Sequence, residues 1–297
     1  MQSVPAAAPS GLAQLLTGAP RPVAVIAALP VALHLTVVDA DAGTPPSLCL
    51  ALPGAVRLPS ALLLGGHVKG RVPAGWGLDL GTRGTVGGGR VALPGLAVPV
   101  ARWWRVPRPA LAAQPRPRWL APPPIDRELT VVAGRMVNSL QWNTRGNHRV
   151  DGRQEVTFPE RSTVDGPGTQ AAMLLGRGPG LTPLGDDILA GVLVTLRALG
   201  DHRAATALAR PVLAAAPAAT TAVSAALLWH AARGECVPEL AALFRALDAG
   251  HRAEVATARD GVLRLGHTSG AGLLNGVALT LDATQRAAHR QRSEECA

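Results

Sequence analysis

Gly176–Gly191 reads GRGPGLTPLGDDILAG. Four glycines, Gly176, Gly178, Gly180 and Gly185, alternate with Pro179 and Pro183 and run directly into the apolar Ile188, Leu189 and Val192. This predicts a glycine-rich turn feeding a helix over Asp186–Leu199, stopped at Gly200. Glycine admits left-handed backbone, so successive N–H groups can converge on one concavity at the positive end of the helix dipole. The stretch therefore reads as a polar, anion-compatible site. Thr182 adds a hydroxyl, and Arg177 is the best single cation for an anionic substrate. The absence of GK[ST] rules out a Walker A loop, and the lack of a preceding strand rules out a dinucleotide fingerprint.

Asp186 and Asp187 fall in the first helical turn. One reading is that they cap the helix and favour its dipole. The other is that one caps while the second faces the nest, to bind Mg²⁺, orient a substrate amide or act as general base. Residue types alone leave both open.

A second constellation is Leu265–Gly276, LGHTSGAGLLNG. His267, Thr268, Ser269 and Gly270 form a polar, glycine-bounded cluster at an expected helix start. Ser269 lies outside a GxSxG elbow, which disfavours a serine hydrolase. Gly185–Leu196 aligns without gaps on Gly270–Leu281, both reading G-x-x-[IL]-L-x-G-V before an apolar run. Chance similarity in an Ala-, Leu- and Gly-rich chain is the alternative. We read an internal pseudo-repeat that brings two helix N-termini around one pocket, with Gly191 and Gly276 permitting close helix approach.

Outward from these motifs, the second half is helical. Helices are expected over Asp126–Asn138, Thr221–Arg233, Pro238–Ala249, Ala253–Leu265 and Gly272–Arg286, each with a capping polar residue, first-turn proline or terminal glycine as its signal. The polar tail is expected to fray, and Asn143–Thr169 reads as a long loop. The first half differs. Val23–Ile26, Leu33–Val38, Leu48–Leu52, Ala61–Leu64, Val91–Leu93 and Val98–Arg102 are short runs punctuated by Gly and Pro, which favours a small β-barrel or sandwich. Asp41-Ala42-Gly43 and Gly87-Gly88-Gly89 read as hairpin turns. Between the halves Arg105–Pro124 carries seven prolines, which exclude helix and central strand and suit a stiff linker better than an SH3-type ligand. The expectation is an α+β chain: a β-rich domain over 1–105, a linker over 106–124, and a mostly helical domain over 125–297 with two glycine-rich helix N-termini.

With 297 residues, 47% of them apolar, and two Phe and no Tyr, the core must be built from Ala, Leu and Val. The net charge of +9 invites a nucleic-acid partner. The arginines are dispersed, however, and Lys69 is the only lysine, a composition suited to a GC-rich genome, so no nucleic-acid partner is expected. Cys49, Cys236 and Cys296 are too widely spaced for a disulfide framework or zinc site, and Cys49 and Cys236 read as small buried residues. His230 and His148 support no metal triad and read as structural or solvent-facing. No secretory leader and no bilayer-length apolar run is legible, so a cytoplasmic, soluble protein with no membrane partner is expected.

The strings LLGRGPGLTPLGDDILAG, HAARGE (His230–Glu235) and LGHTSGAGLLNG, in this order, resemble an uncharacterised bacterial family that includes the AllH-type third subunit of the oxamate carbamoyltransferase complex of allantoin degradation, a branch of purine catabolism. The resemblance implies a transferase subunit working with partner subunits in carbamoyl transfer between oxamate and carbamoyl phosphate. In that role Gly176, Arg177, Gly178, Gly180, Thr182, Gly185, Thr268, Ser269 and Gly270 would bind substrate, and Asp186, Asp187 and His267 would be catalytic. No cofactor is firmly implied, with Mg²⁺ as an option at the aspartates. A non-catalytic carboxylate-binding regulatory subunit and a stand-alone amidohydrolase are the alternatives. Two positions depart from the family pattern: Leu184 replaces a small polar residue, and Gly272 replaces an aspartate.

Overall fold

A computed structural model describes residues 2–41, 43–65, 74–112, 117–140 and 166–295. The expected polar loop over Asn143–Thr169, except for its last residues, and with it His148, Lys69 and Cys296, lie outside the described residues.

The first half is a closed barrel. Its strands are β1 (Gln2–Ser3), β2 (Ala6–Pro9), β3 (Arg21–Leu29), β4 (Ala32–Val37), β5 (Ser47–Ala51), β6 (Ala61–Leu64), β7 (Arg83–Gly87), β8 (Arg90–Leu93) and β9 (Leu96–Trp104). The order β9-β2-β6-β5-β4-β3-β7-β8 closes through the β8–β9 pairing, and β1 extends the ring alongside β9. Closure removes the free edges a sandwich would leave. Strands β1, β2 and β7 carry little sequence signal. Ala6-Ala7-Ala8-Pro9 has poor strand propensity, yet all four residues are buried, because β6 and β9 pair with the strand on its two sides. Alternate residues such as Val23, Val25, Leu33, Leu35, Leu48 and Leu50 fill the interior. Helix α1 (Ala13–Thr17) and the turn before it add Leu12 and Leu16 to that core. The outward set Ala32, Cys49, Ala51 and Ala61 forms a second buried cluster. These small side chains lie on the barrel face that meets the helices.

The second half contains α2 (Arg127–Ser139), α3 (Pro167–Leu174), α4 (Leu184–Ala198), α5 (His202–Ala219), α6 (Ala222–Ala231), α7 (Pro238–Ala249), α8 (Arg252–Leu263) and α9 (Ser269–Glu295). Asp126 caps α2 by accepting from the N–H groups of Glu128 and Leu129, and Thr221 caps α6 through the N–H of Ser224. Three expectations are corrected. Helix α3 occupies the end of the expected loop. Helix α5 had no predicted counterpart, because Pro211 and Pro217 lie inside it; Asp201 caps it, and Ala204, Leu208 and Val212 bury one face. Helix α9 begins at Ser269 and continues through the tail expected to fray.

Helix α4 is the centre of the helical half, buried nearly all round. It runs parallel to α9 with backbone in contact. A Cβ on Gly191 would overlap the Leu273 carbonyl, and one on Gly276 would overlap that of Ile188. The expected close approach at these two glycines is present. The likeness extends four residues further in each helix: Thr195 donates to the Gly191 carbonyl at 2.7 Å and Thr280 to the Gly276 carbonyl at 2.8 Å.

The proline-rich crossing packs onto the helices. The N–H of Leu111 donates to the Ala198 carbonyl, and the Pro107 carbonyl accepts from Cys236. Pro117–Trp119 makes one 3₁₀ turn. Among the described residues no helix is long and apolar enough to cross a membrane.

Candidate functional site

Three helix N-termini meet beside the barrel. The hydroxyls of Thr182, before α4, and Ser269, at the start of α9, lie 2.8 Å apart. Thr221, the cap of α6, donates to the Leu181 carbonyl at 2.5 Å. Thr220 donates to Oδ2 of Asp186. The α6 start was not anticipated as part of the site; its only sequence signal is the Thr-Thr cap.

The anion that enters the glycine turn is the protein's own. Oδ1 of Asp186 accepts from the Gly176 N–H at 2.8 Å. The N–H groups of Arg177 and Gly185 donate to the carbonyls of Leu174 and Arg177. Helix α4 has Pro183 at its N-cap and no side-chain cap, so neither aspartate caps it, contrary to the capping reading. Gly176, Gly178 and Gly180 all adopt positive φ, as a glycine turn requires. Gly185 and Gly270 serve packing: a Cβ on either would overlap the carbonyl of Leu174 or Val262 respectively.

Asp187 is placed differently. It is 5% exposed and lies beside the Ser269 hydroxyl, while its Oδ2 has no hydrogen-bond partner. Burial, together with the neighbouring charge of Asp186 and against the pull of the Ser269 hydroxyl, pushes its carboxyl up to about 8. Asp187 therefore changes charge near neutrality, the behaviour expected of a functional carboxyl.

It faces a cavity of about 330 Å³. Asp187, Ala190 and Val194 line it from one face of α4, and Ser224, Leu227 and Ala231 from one face of α6. Residues at i, i+3 and i+7 share a helix face, so the cavity extends roughly 10 Å along α4. The barrel supplies His34 from β4, Cys49 from β5 and the β3–β4 tip. Thr182, Asp186 and Ser269 also line it. Arg177 and His267 are exposed and are not among the lining residues, and Thr268 is half-buried with its carbonyl accepting from Gly272.

Burial lowers the His34 ring from its ordinary value and pushes both Cys49 and Cys236 up to about 12. The two thiols are buried, as expected, and are poor nucleophiles. Among the described residues no group of three His, Cys, Asp or Glu side chains could hold a metal. Asp186 has both oxygens occupied, which leaves Asp187 alone to meet a ligand.

Glu235, also on the cavity wall, belongs to a buried network. Its Oε2 is 2.6 Å from Nδ1 of the fully buried His230, and its Oε1 is 2.5 Å from Arg108 of the proline-rich crossing. Burial works against the Glu235 charge, but the hydrogen bonds from His230 and Arg108 hold its carboxyl below the usual value. Burial outweighs the pull of Glu235 on His230 and keeps the ring below its ordinary value. The structural reading of His230 is thus the one observed. His230 and Glu235 are the ends of the HAARGE string, so a signal for this pair was present in the sequence. His34, a lone histidine in a strand, had none.

The positions of Leu184 and Gly272 are in contact. A Cβ on Gly272 would lie 2.7 Å from Cβ of Asp187 and 3.0 Å from Cδ1 of Leu184. The leucine thus fills space beside the missing side chain.

Residues 174–281 match the sequence model of the family described as oxamate carbamoyltransferase subunit AllH. The helical half is AllH-like over this span, which holds Thr182, Asp187 and Ser269. No solved structure matches the chain.

Proposed function

We propose that the chain is a subunit of a carbamoyltransferase-type complex and that the cavity at the start of α4, α6 and α9 receives the substrate's –CO–NH₂ group. One observation carries the reading: the AllH-like span contains every residue of the Thr182–Asp187–Ser269 cluster that faces the cavity. Transfer between carbamoyl phosphate and oxamate joins the oxamate nitrogen to the carbamoyl carbon, releases phosphate and frees one proton from that nitrogen. A carboxyl titrating near 8 is suited to accept it, since a general base works best with its pKa near the operating pH. Ser269 orients that carboxyl, and Thr182 holds Ser269. With Asp186 already seated on Gly176 of the glycine turn, the exposed Arg177 side chain is the cation left for the phosphate or carboxylate end, with His267 and Thr268 beside the start of α9.

The test is reconstitution with the remaining subunits of an oxamate carbamoyltransferase, following oxamate-dependent phosphate release from carbamoyl phosphate. Turnover that requires both this chain and its partners is the expected result. Turnover by the chain alone would make it a self-contained enzyme, and full turnover without it would remove it from the catalytic assembly.

A further inference from the structure

The cavity is much larger and more apolar than a two-carbon acid amide needs. Its volume of about 330 Å³ falls in the range of roughly 300–1,000 Å³ typical of small-molecule sites. Beyond the cluster at the helix starts, its walls are Ala190, Val194, Val223, Leu227, Leu240 and Leu273 from the helices, with Leu58 and Pro59 from the barrel side. The barrel lip adds a second, independent feature. Leu29, Val31 and Val56 each expose 40% or more of their surface, and all three line this cavity. Exposed apolar side chains gathered at one place mark a binding surface, whereas single scattered ones do not. Leu29 ends β3 and Val31 lies in the β3–β4 turn, and the Leu29 carbonyl accepts from Trp76 Nε1 at 2.8 Å, which fixes the lip.

The polar end is equally selective. Among the described lining residues none is Lys or Arg, while Asp187 and Glu235 are both present. An anionic head would meet no countercharge there. Glu235 is already paired with Arg108 and His230, and Asp186 with Gly176 and Thr220. The open polar atom is Asp187 Oδ2, buried and without a partner among the described residues. A carboxyl group offers one donor and one acceptor when protonated, which matches the C=O and N–H of a primary amide.

We propose that this cavity binds a molecule with an uncharged –CO–NH₂ terminus at Asp187 and Ser269 and an apolar body lying along α4 and α6 against the barrel lip. The inference rests on the carbamoyl-group reading of the same site and names the class of compound that carries the group. It makes a substituted amide or N-carbamoyl compound, rather than oxamate, the preferred ligand.

The test is calorimetric titration of the full chain with propanamide, butanamide, pentanamide and hexanamide, beside hexanoate, hexylamine and oxamate. Each added methylene is expected to tighten amide binding by about fourfold, the fold-change corresponding to about 0.8 kcal/mol per buried CH₂. Hexanoate and hexylamine are expected to bind at least tenfold more weakly than hexanamide. Ala55→Trp, which fills the lip side of the cavity from a loop position, should abolish the gain with chain length. Asp187→Leu should abolish the preference for amide over carboxylate; the loop variant keeps the test intact if this one does not fold. Oxamate binding with no gain along the amide series would overturn the inference and leave the carbamoyl reading standing. Failure of every amide would overturn the inference alone, because the carbamoyl reading is tested with the partner subunits present, and a preference for hexylamine would reject the amide head.

Discussion

The hydroxyl of Thr182 lies 2.8 Å from that of Ser269, 87 residues away in the chain, and Ser269 in turn lies beside Asp187. This chain of contacts joins the two glycine-bounded motifs and holds a buried carboxyl whose charge is costly. Because the folded protein raises the Asp187 pKa from 3.8 to about 8, the folded state binds the proton more tightly than the unfolded chain. Its contribution to stability is therefore full below pH 4 and is lost as pH rises through 8. Urea unfolding of the wild type against Asp187→Asn should show the variant gaining relative stability between these limits, at up to about 1.4 kcal/mol per pH unit. A constant difference across that window would show that Asp187 titrates normally.

Asp186 should respond in the opposite sense. Its two oxygens accept from the Gly176 N–H and the Thr220 hydroxyl, so Asp186→Ala leaves two half-buried donors without that partner. We expect a loss of about 1–3 kcal/mol in urea unfolding at pH 7, together with faster hydrogen exchange at the Gly176 amide. Adjacent aspartates with opposite effects would separate the structural carboxyl from the functional one.

The crossing of α4 and α9 gives a prediction whose sign is diagnostic. In an exposed helix, Gly→Ala stabilises by about 1 kcal/mol. At Gly191 and Gly276 the added methyl would overlap a carbonyl of the facing helix. Gly276→Ala should therefore destabilise by about 1–3 kcal/mol or more, read as a lower urea midpoint. A stabilised variant would mean that the helices do not touch there.

Leu184 and Gly272 should be coupled. Gly272→Asp alone drives its side chain against Asp187 and Leu184, and Leu184→Ser alone leaves a gap. Together the two changes remove the contact with Leu184 Cδ1 but leave the one with Asp187 Cβ, so a double-mutant cycle should return a partial, favourable interaction of about 0.5–1 kcal/mol. Additive effects within about 0.3–0.5 kcal/mol would show the two sites to be independent.

The legible parts of the molecule were those with local causes. Pro238 at the first turn and Gly250 at positive φ bound α7 at both predicted ends, because caps and glycine stops act within a few residues. The parallel pairing of α4 and α9 was legible from the repeated Gly191 and Gly276. What was missed depends on the rest of the fold. Strand β2 forms from alanines because two neighbours pair with it, and α5 tolerates Pro211 because its apolar face packs. The glycine turn looked open to an external anion because nothing local reveals that Asp186 folds back onto Gly176. His34 entered the cavity wall through barrel closure, which no window of sequence contains.

The central claim is that Asp187 handles the reacting group, and replacing it in the reconstituted complex tests this most directly. With assembly confirmed by size-exclusion chromatography, Asp187→Asn should lower kcat for oxamate-dependent phosphate release by about 10²–10⁴-fold. It should also remove a rise in rate through pH 8 that the wild type shows. An assembled complex carrying Asp187→Asn that turns over at the wild-type rate, with an unchanged pH profile, would contradict the account.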